Sequence, residues 1–317
     1  MIEEASLSCK KSKLNCDFKA ELLHPKHWLS WVGVAILFLI GLLPAKAREF
    51  IASRLTNFVY KLSKKQVKIC KANLKACFPQ KSDDDIETLV RNNIKYFLMT
   101  LLAQTELMTC NKKKLQSSVS LTGHQHIKKA RDDGKPIIFV SPHVWGLEHA
   151  GLRLSTELPM MAMTKAHRNP VFQWLSVKIR SSHGGHVYKR EAGIRAMISA
   201  LKEDRSFFYL PDEDLGPEQS VLAPFFNTVK ATLPVVGRLA NAGNAVVLPV
   251  CVGYSKQNHR FEVEVMAACN LNSIKCKQSE AQCLNDMIER SIMAHPEQYM
   301  WCLKVLKTRP EGEASLY

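Results

Sequence analysis

Hydrophobic and polar positions fall into three regimes along the chain. Residues 28–45, WLSWVGVAILFLIGLLPA, carry no charge. As one helix this run would span roughly 27 Å at 1.5 Å per residue, marginally enough for the hydrocarbon core of a bilayer. Trp28 and Trp31 stand at one end of it, where indole rings favour the membrane interface. From Lys46 to Lys75 apolar residues recur at helical spacing among nine Lys and Arg, against the single acid Glu49. That pattern predicts a basic amphipathic segment suited to anionic lipid. Over 83–108 an acidic start at Asp83–Asp85 precedes an apolar stripe of Ile86, Leu89, Val90, Ile94, Phe97 and Leu98, the signature of a capped helix.

Beyond about residue 120 the period changes. Short apolar or alternating runs at 136 (PIIFVS), 161 (MAMT), 186 (HVYK), 206 (SFFYL), 245 (AVVLPVCV) and 260 (RFEVEV) read as strands. Helices fit near 145–156, 169–181, 192–203 and 231–242, with two more near 279–294 and 296–306. Strands alternating with helices predict an α/β fold whose central, mostly parallel sheet is flanked by helices. The chain divides into a short tail (1–27), an anchor (28–45), a basic and helical segment (46–120), a core (121–310) and a closing tail (311–317).

Composition adds a constraint on partners. The 317 residues carry a formal net charge of +15, which implies an acidic partner: nucleic acid, an anionic membrane surface, or an acidic substrate or protein. Pro44, Lys46 and Arg48 follow the apolar run where a cleavable signal would need small residues, so it reads as an uncleaved anchor. Lys10, Lys11, Lys13, Lys19 and Lys26 precede it, and the denser basic set follows it. The positive-inside bias puts the bulk of the chain in the cytoplasm. The ten cysteines include no Cys-x-x-Cys pair, and the seven-residue steps among Cys269, Cys276 and Cys283 fit no zinc spacing. They read as reduced thiols.

Candidate chemistry concentrates around His143. With 11 His and 29 acids in the chain, about one His-x4-acid pair is expected by chance, yet three occur. His186 with Glu191 and His259 with Glu264 lie on or beside strands, where an odd spacing separates the two side chains across the sheet. His143 with Glu148 follows a buried-looking strand and a Ser-Pro turn, at the carboxyl end where α/β sheets place their sites. Glu148 falls in the first turn of the next helix. From there it could accept the imidazole N–H and leave the other nitrogen as a base toward a hydroxyl. The residues alone leave a catalytic and a structural pair both open. No Gly-x-Ser-x-Gly elbow or Walker loop occurs, and the spacing of His143, Glu148 and His149 does not match a zinc site. The turn PDEDLGP holds Asp212 and Asp214, for which turn stabilisation or polar substrate contact is favoured over metal binding. Among the basic residues at strand ends and loop starts are Lys165, Arg168, Lys189, Arg190, Arg195 and Lys230. Arg190, just after a strand, is the one expected to hold an anion or oppose oxyanion charge.

Taken together, the motifs HPKHWLSWVGVA, NLKACFPQKS, PHVWGLE, HRNPVFQWL, GGHVYKREAGI, YLPDEDLGPEQSVLAPFF, TVKATLPVVGRL and HPEQYMWCLKVLKTRPEGE resemble the late-stage lipid A biosynthesis acyltransferases of Gram-negative bacteria. Among the lauroyl and myristoyl transferases, the myristoyl branch is the nearer. The resemblance implies a glycerolipid-acyltransferase-like fold with 121–310 as its core. It also implies transfer of a fatty acyl chain, myristoyl or lauroyl, from acyl carrier protein to a hydroxyl of a 3-hydroxyacyl chain on a Kdo-lipid A precursor. His143 and Glu148 would be the catalytic pair, and Arg190, Arg168, Asp212, Asp214 and Lys230 substrate contacts. Glu191 and Ala192 stand where relatives often carry Asn-Asp. No metal and no cofactor beyond the acyl donor is implied, and no nucleic acid. The partners implied are acyl carrier protein, an acidic glycolipid and the anionic cytoplasmic face of the inner membrane. The alternatives are a glycerol-phosphate or lysophospholipid acyltransferase of the same superfamily, and, more remotely, a non-catalytic glycolipid-binding membrane protein.

Overall fold

A computed structural model describes residues 13–271, 274 and 276–317. Cys9, Lys10 and Lys11 lie outside the described residues. Seven strands form the main sheet: β1 (Val119–Thr122), β2 (Ile137–Val140), β3 (Met160–Thr164), β4 (His186–Lys189), β5 (Ser206–Tyr209), β8 (Val246–Ser255) and β9 (Arg260–Val265). Their order is β1-β9-β8-β2-β5-β3-β4, parallel throughout except for the β8–β9 hairpin. The mixed α/β fold with a mostly parallel sheet is therefore as expected. The edge strand β1 and a separate hairpin, β6 (Val221–Phe225) with β7 (Thr228–Thr232), were not expected from the sequence.

The central strand explains the layers. All four residues of β2 are buried, and alternate ones feed different cores, as the pleat requires. Ile137 and Phe139 join a large core with Ala150, Leu152 and Leu154 of a helix over Leu147–Ser155. Ile138 and Val140 join a second core with Ala196, Ala200, Leu239, Ala240 and Leu284. Those five come from the helices Gly193–Lys202, Val236–Gly243 and Lys277–Ala294.

In chain order the helices are α1 (Trp28–Gly41), α2 (Ala45–Leu62), α3 (Lys64–Cys77), α4 (Asp83–Ala103), α5 (Glu106–Thr109), α6 (Lys112–Ser118), α7 (His124–Asp132), α8 (Leu147–Ser155), α9 (Pro170–Ser181), α10 (Gly193–Lys202), α11 (Val236–Gly243) and α12 (Lys277–Ala294). A capping box in which Ser82 and Asp85 satisfy each other's backbone N–H starts α4.

The anchor differs from expectation. Its helix, α1, stops at Gly41 after 14 residues, about 21 Å at 1.5 Å per residue. Among the described residues no helix is long and apolar enough to cross a membrane. Pro44 then serves as the N-cap of α2, so the chain turns instead of continuing the run. Gly41 packs where a Cβ would meet the Thr105 hydroxyl at 2.1 Å, and that hydroxyl donates to the Leu37 carbonyl at 2.8 Å. The inner face of α1 thus leans on the end of α4. Leu29, Val32, Ile36 and Leu39 form the outer stripe, between 52% and 85% exposed.

Segment 296–306 is not the expected helix. Only a short 3-10 turn forms, at Pro296–Gln298. Tyr299 and Trp301 beyond it are both fully buried, an alternation proper to extended chain.

Candidate functional site

The site is set by parallel register. Val140 of β2 pairs with Tyr209 of β5. Each strand leaves the sheet through a dipeptide ending in proline, Ser141-Pro142 and Leu210-Pro211, followed by His143 and Asp212 respectively. Residues three beyond a matched pair in adjacent parallel strands emerge side by side, so His143 meets Asp212.

Two bonds join them. The His143 backbone N–H donates to Asp212 Oδ2 at 2.7 Å, and Nδ1 lies 2.6 Å from Oδ1. With a carboxylate as partner Nδ1 carries the proton, leaving Nε2 as the basic nitrogen of the neutral ring. Nε2 has no partner among the described residues. The opposite rim of the His143 loop is held by the 298–300 segment: Met300 N–H donates to the His143 carbonyl at 2.8 Å, and Trp145 N–H to the Gln298 carbonyl at 3.1 Å. Asn93 of α4 fixes that segment by donating to the carbonyls of Tyr299 (2.6 Å) and Glu297 (2.9 Å).

The electrostatics follow from this packing. Burial disfavours the charged imidazole, but the charge of Asp212 and its hydrogen bond outweigh it, so the His143 pKa is raised above its ordinary value. Asp212 is fully buried. Burial opposes its charge, yet His143, the backbone N–H and Lys230 together hold its carboxyl below the usual range. The buried Tyr299 phenol faces the same carboxylate without a well-formed hydrogen bond, and burial and that charge push its pKa up.

Glu148 is placed otherwise than the sequence suggested. It lies in the first turn of α8, but its carboxylate accepts two bonds from Arg180 Nε at 3.0 Å and another from Nη2, not the imidazole N–H. Arg180, in the last turn of α9, offers a planar fork that matches a carboxylate, and Nδ1 of His143 is already taken. The pairing of His143 with Glu148 is thus replaced by two pairs, His143–Asp212 and Glu148–Arg180. All but Asp212 line one cavity of about 550 Å³, together with Trp145, Met163, Arg190, Phe208 and Met300. A second space of about 120 Å³ shares Leu147, Glu148, Met161, Met163, Arg180 and Phe208 with it, and continues past Gly151 and Gly185. The combined wall is mostly apolar.

The other expected site residues divide. Arg190 is on the cavity wall, half-exposed, and pairs with Glu213 through Nη1 (2.9 Å) and Nη2 (2.8 Å). Asp214 is a turn residue: it accepts from Gly216 N–H (3.0 Å) and from the Thr308 N–H (2.6 Å) and hydroxyl (2.8 Å), tying the C-terminal segment to the turn. Lys230 is fully buried, away from the cavity wall. Its ammonium donates to the Pro211 carbonyl, the Thr232 hydroxyl (both 3.0 Å) and the Ala231 carbonyl (3.3 Å). Burial brings its pKa down to about 8, against the opposing pull of Asp212 and Asp214. Lys230 supports the turn that carries Asp212 through its bond to the Pro211 carbonyl and is not among the residues lining the cavity. Arg168 is exposed in the loop before α9 and lies off the cavity wall. Among the described residues no cluster of three metal-ligating side chains occurs.

Fold and geometry define a class: an α/β protein whose carboxylate-oriented histidine opens onto an elongated, largely apolar cavity. The chain belongs to the bacterial lipid A biosynthesis acyltransferase family, whose model matches residues 15–308. It is similar to a lipid A biosynthesis acyltransferase of Haemophilus influenzae, 34% identical over 93% of both chains. It is likewise similar to two Escherichia coli K12 proteins: the lipid A biosynthesis myristoyltransferase (32%, over 95% of this chain and 94% of that one) and the lauroyltransferase (27%, over 95% and 98%). An acyltransferase is therefore the activity that the site has to account for.

Proposed function

We propose that the protein transfers a fatty acyl chain from acyl carrier protein to a hydroxyl on a 3-hydroxyacyl chain of a Kdo-lipid A precursor, with His143 as general base. The observation that carries this is the His143–Asp212 pair, which fixes the tautomer and leaves Nε2 basic on the wall of a largely apolar cavity. Nε2 takes the hydroxyl proton as that oxygen attacks the thioester carbonyl. The tetrahedral intermediate then collapses, the C–S bond breaks, and the imidazolium returns the proton to the departing thiolate. Base catalysis of this kind contributes roughly a hundredfold to ten-thousandfold. Asp212 takes the orienting role that the sequence suggested for Glu148. The Glu148–Arg180 pair lies where the two spaces meet and positions the reacting chains. The apolar wall takes an acyl tail of myristoyl or lauroyl length.

The surroundings support the substrate classes. A surplus of fifteen positive charges favours an acidic carrier protein, an acidic glycolipid and an anionic surface. Beside the stripe of α1, Phe50, Phe58 and Leu62 of α2 are each about 60% exposed or more. A 14-residue helix with one apolar outer face suits lying within the interface, so we place the protein on the cytoplasmic face of the inner membrane, embedded rather than spanning. The test is transfer by purified protein from acyl carrier protein thioesters of graded length to a Kdo-lipid A precursor, with a lysophospholipid as the competing acceptor. Acylation of the glycolipid with retention of activity on no lysophospholipid supports the reading. Acylation of the lysophospholipid alone replaces it with the glycerolipid alternative.

A further inference from the structure

A further cavity, of about 440 Å³, lies apart from the catalytic one, between the α1–α2 elbow, the end of α4 and the β8–β9 hairpin. Three features give it a chemistry. His149 is buried in its wall, stacked on Phe261 at 3.8 Å, and neither of its ring nitrogens has a hydrogen-bond partner among the described residues. Burial, with Arg48 nearby, brings its pKa down to about 3, so the ring is neutral and offers one N–H and one lone pair, both unused. Burying such groups without partners is unfavourable, so a ligand that accepts from the ring is stabilised there. The lining also carries more positive than negative charge. Its carboxylates are already engaged, Glu106 by Arg48 at 2.8 Å and Glu49 by Tyr254 Oη at 2.5 Å and His259 Nδ1 at 2.7 Å. Lys114 has no ion-pair partner among the described residues, and the nearest carboxylate to Arg260, on Glu262, is 3.9 Å away. Finally, the rim includes Leu42, 64% exposed, and Leu43, 38% exposed, which continue the apolar stripe of α1.

We propose that this cavity is a lipid site separate from the catalytic one, holding the phosphodiester headgroup of an anionic phospholipid. Lys114 and Arg260 would face the charge at the mouth and His149 would donate from the wall. The lipid's chains would run along Leu42, Leu43 and the stripe of α1. This rests on the interfacial placement of α1 but not on the acyl-transfer reading.

Calorimetric titration of the full chain with dihexanoyl-phosphatidylglycerol, kept monomeric, tests the site without requiring a membrane. Dihexanoyl-phosphatidylcholine and inorganic phosphate serve as the other two ligands. Vesicle flotation, measured separately, tests the placement of α1. We expect the glycerol lipid to bind, and the exposed double variant Lys114→Glu, Arg260→Glu to bind it at least about tenfold more weakly, the loss of one charge-assisted bond or more. His149→Phe keeps the ring stack and loses the donor, and should weaken binding severalfold. Unaltered binding in the double variant overturns the proposal whatever becomes of His149→Phe. Equal binding of the choline lipid removes the role of net charge and overturns it too. Inorganic phosphate binding as tightly as the lipid would mark a free-anion site instead.

Discussion

Burial alone would drive the His143 ring toward its neutral form, and Asp212 reverses that balance. Two opposite pH dependences follow. The pair's contribution to stability is full below the ordinary histidine value, about 6.5, and is lost as pH rises through the raised folded value. Activity runs the other way, because the base must be neutral. The acid limb of the pH–rate profile should therefore lie above the ordinary histidine value. Asp212→Asn should move this limb to lower pH and reduce kcat by about a hundredfold or more, since an amide neither fixes the tautomer nor opposes the imidazolium charge. Glu148→Gln breaks the bidentate pair with Arg180 and should also lower the rate, but with the limb unmoved. A Glu148→Gln profile that shifts as Asp212→Asn does would return the orienting role to Glu148. Both the histidine and Asp212 are visible in the sequence, but proximity along the chain favours Glu148 as the partner. The better signal was the matched exit of two strands, Val-Ser-Pro-His and Tyr-Leu-Pro-Asp. It becomes decisive only once β2 and β5 are known to be neighbours, and strand order is a non-local property. Arg180 gave no signal, because one basic residue in a helix ending in Lys178 and Arg180 looks like an ordinary solvated one.

At the scale of elements, the six strands expected from apolar runs all form, because continuous or alternating patterns of that length fit strands buried on one or both faces. The β6–β7 hairpin lacks a sequence signature for a definite reason. Its turn is Phe226-Asn227, without glycine, and Phe226 takes φ +50° while its ring packs on Phe78 at 4.8 Å. Tertiary packing holds a conformation that the local sequence does not advertise. Segment 296–306 has the composition of a helix, but its backbone groups bond to the His143 loop and to the side chains of Asn73 and Asn93 as well as in short turns of their own. For α1 the uncharged run was legible but its end was not: Gly41 and Pro44 break it, and Thr105 receives the elbow. Replacing Leu29, Val32, Ile36 and Leu39 together by Ser should abolish flotation with anionic vesicles and leave the unfolding midpoint within a few degrees, since these side chains are largely exposed in the structure. Retained flotation would transfer the membrane contact to other surfaces. Gly41→Leu, by contrast, should lower the midpoint, because a side chain there collides with Thr105.

For the whole molecule, the proposed membrane placement draws on both the basic surplus and the apolar stripe of α1. Binding to anionic vesicles should weaken from low to physiological salt, where the screening length falls to about 8 Å, while the apolar term persists. Salt-independent binding would assign the attachment to the stripe alone. The central proposal joins all three scales: that His143, oriented by Asp212 from the neighbouring strand and lining a largely apolar cavity, acts as the base that moves an acyl chain onto a lipid A precursor. Its most direct test is mass spectrometry of lipid A from a host lacking its own late acyltransferase, supplied with wild type, His143→Ala or Asp212→Asn at equal membrane levels. A gain of one acyl chain with wild type, none with His143→Ala and a trace with Asp212→Asn is the result expected. A full gain with His143→Ala would contradict the account of the base, and no gain with wild type would contradict the proposed acceptor.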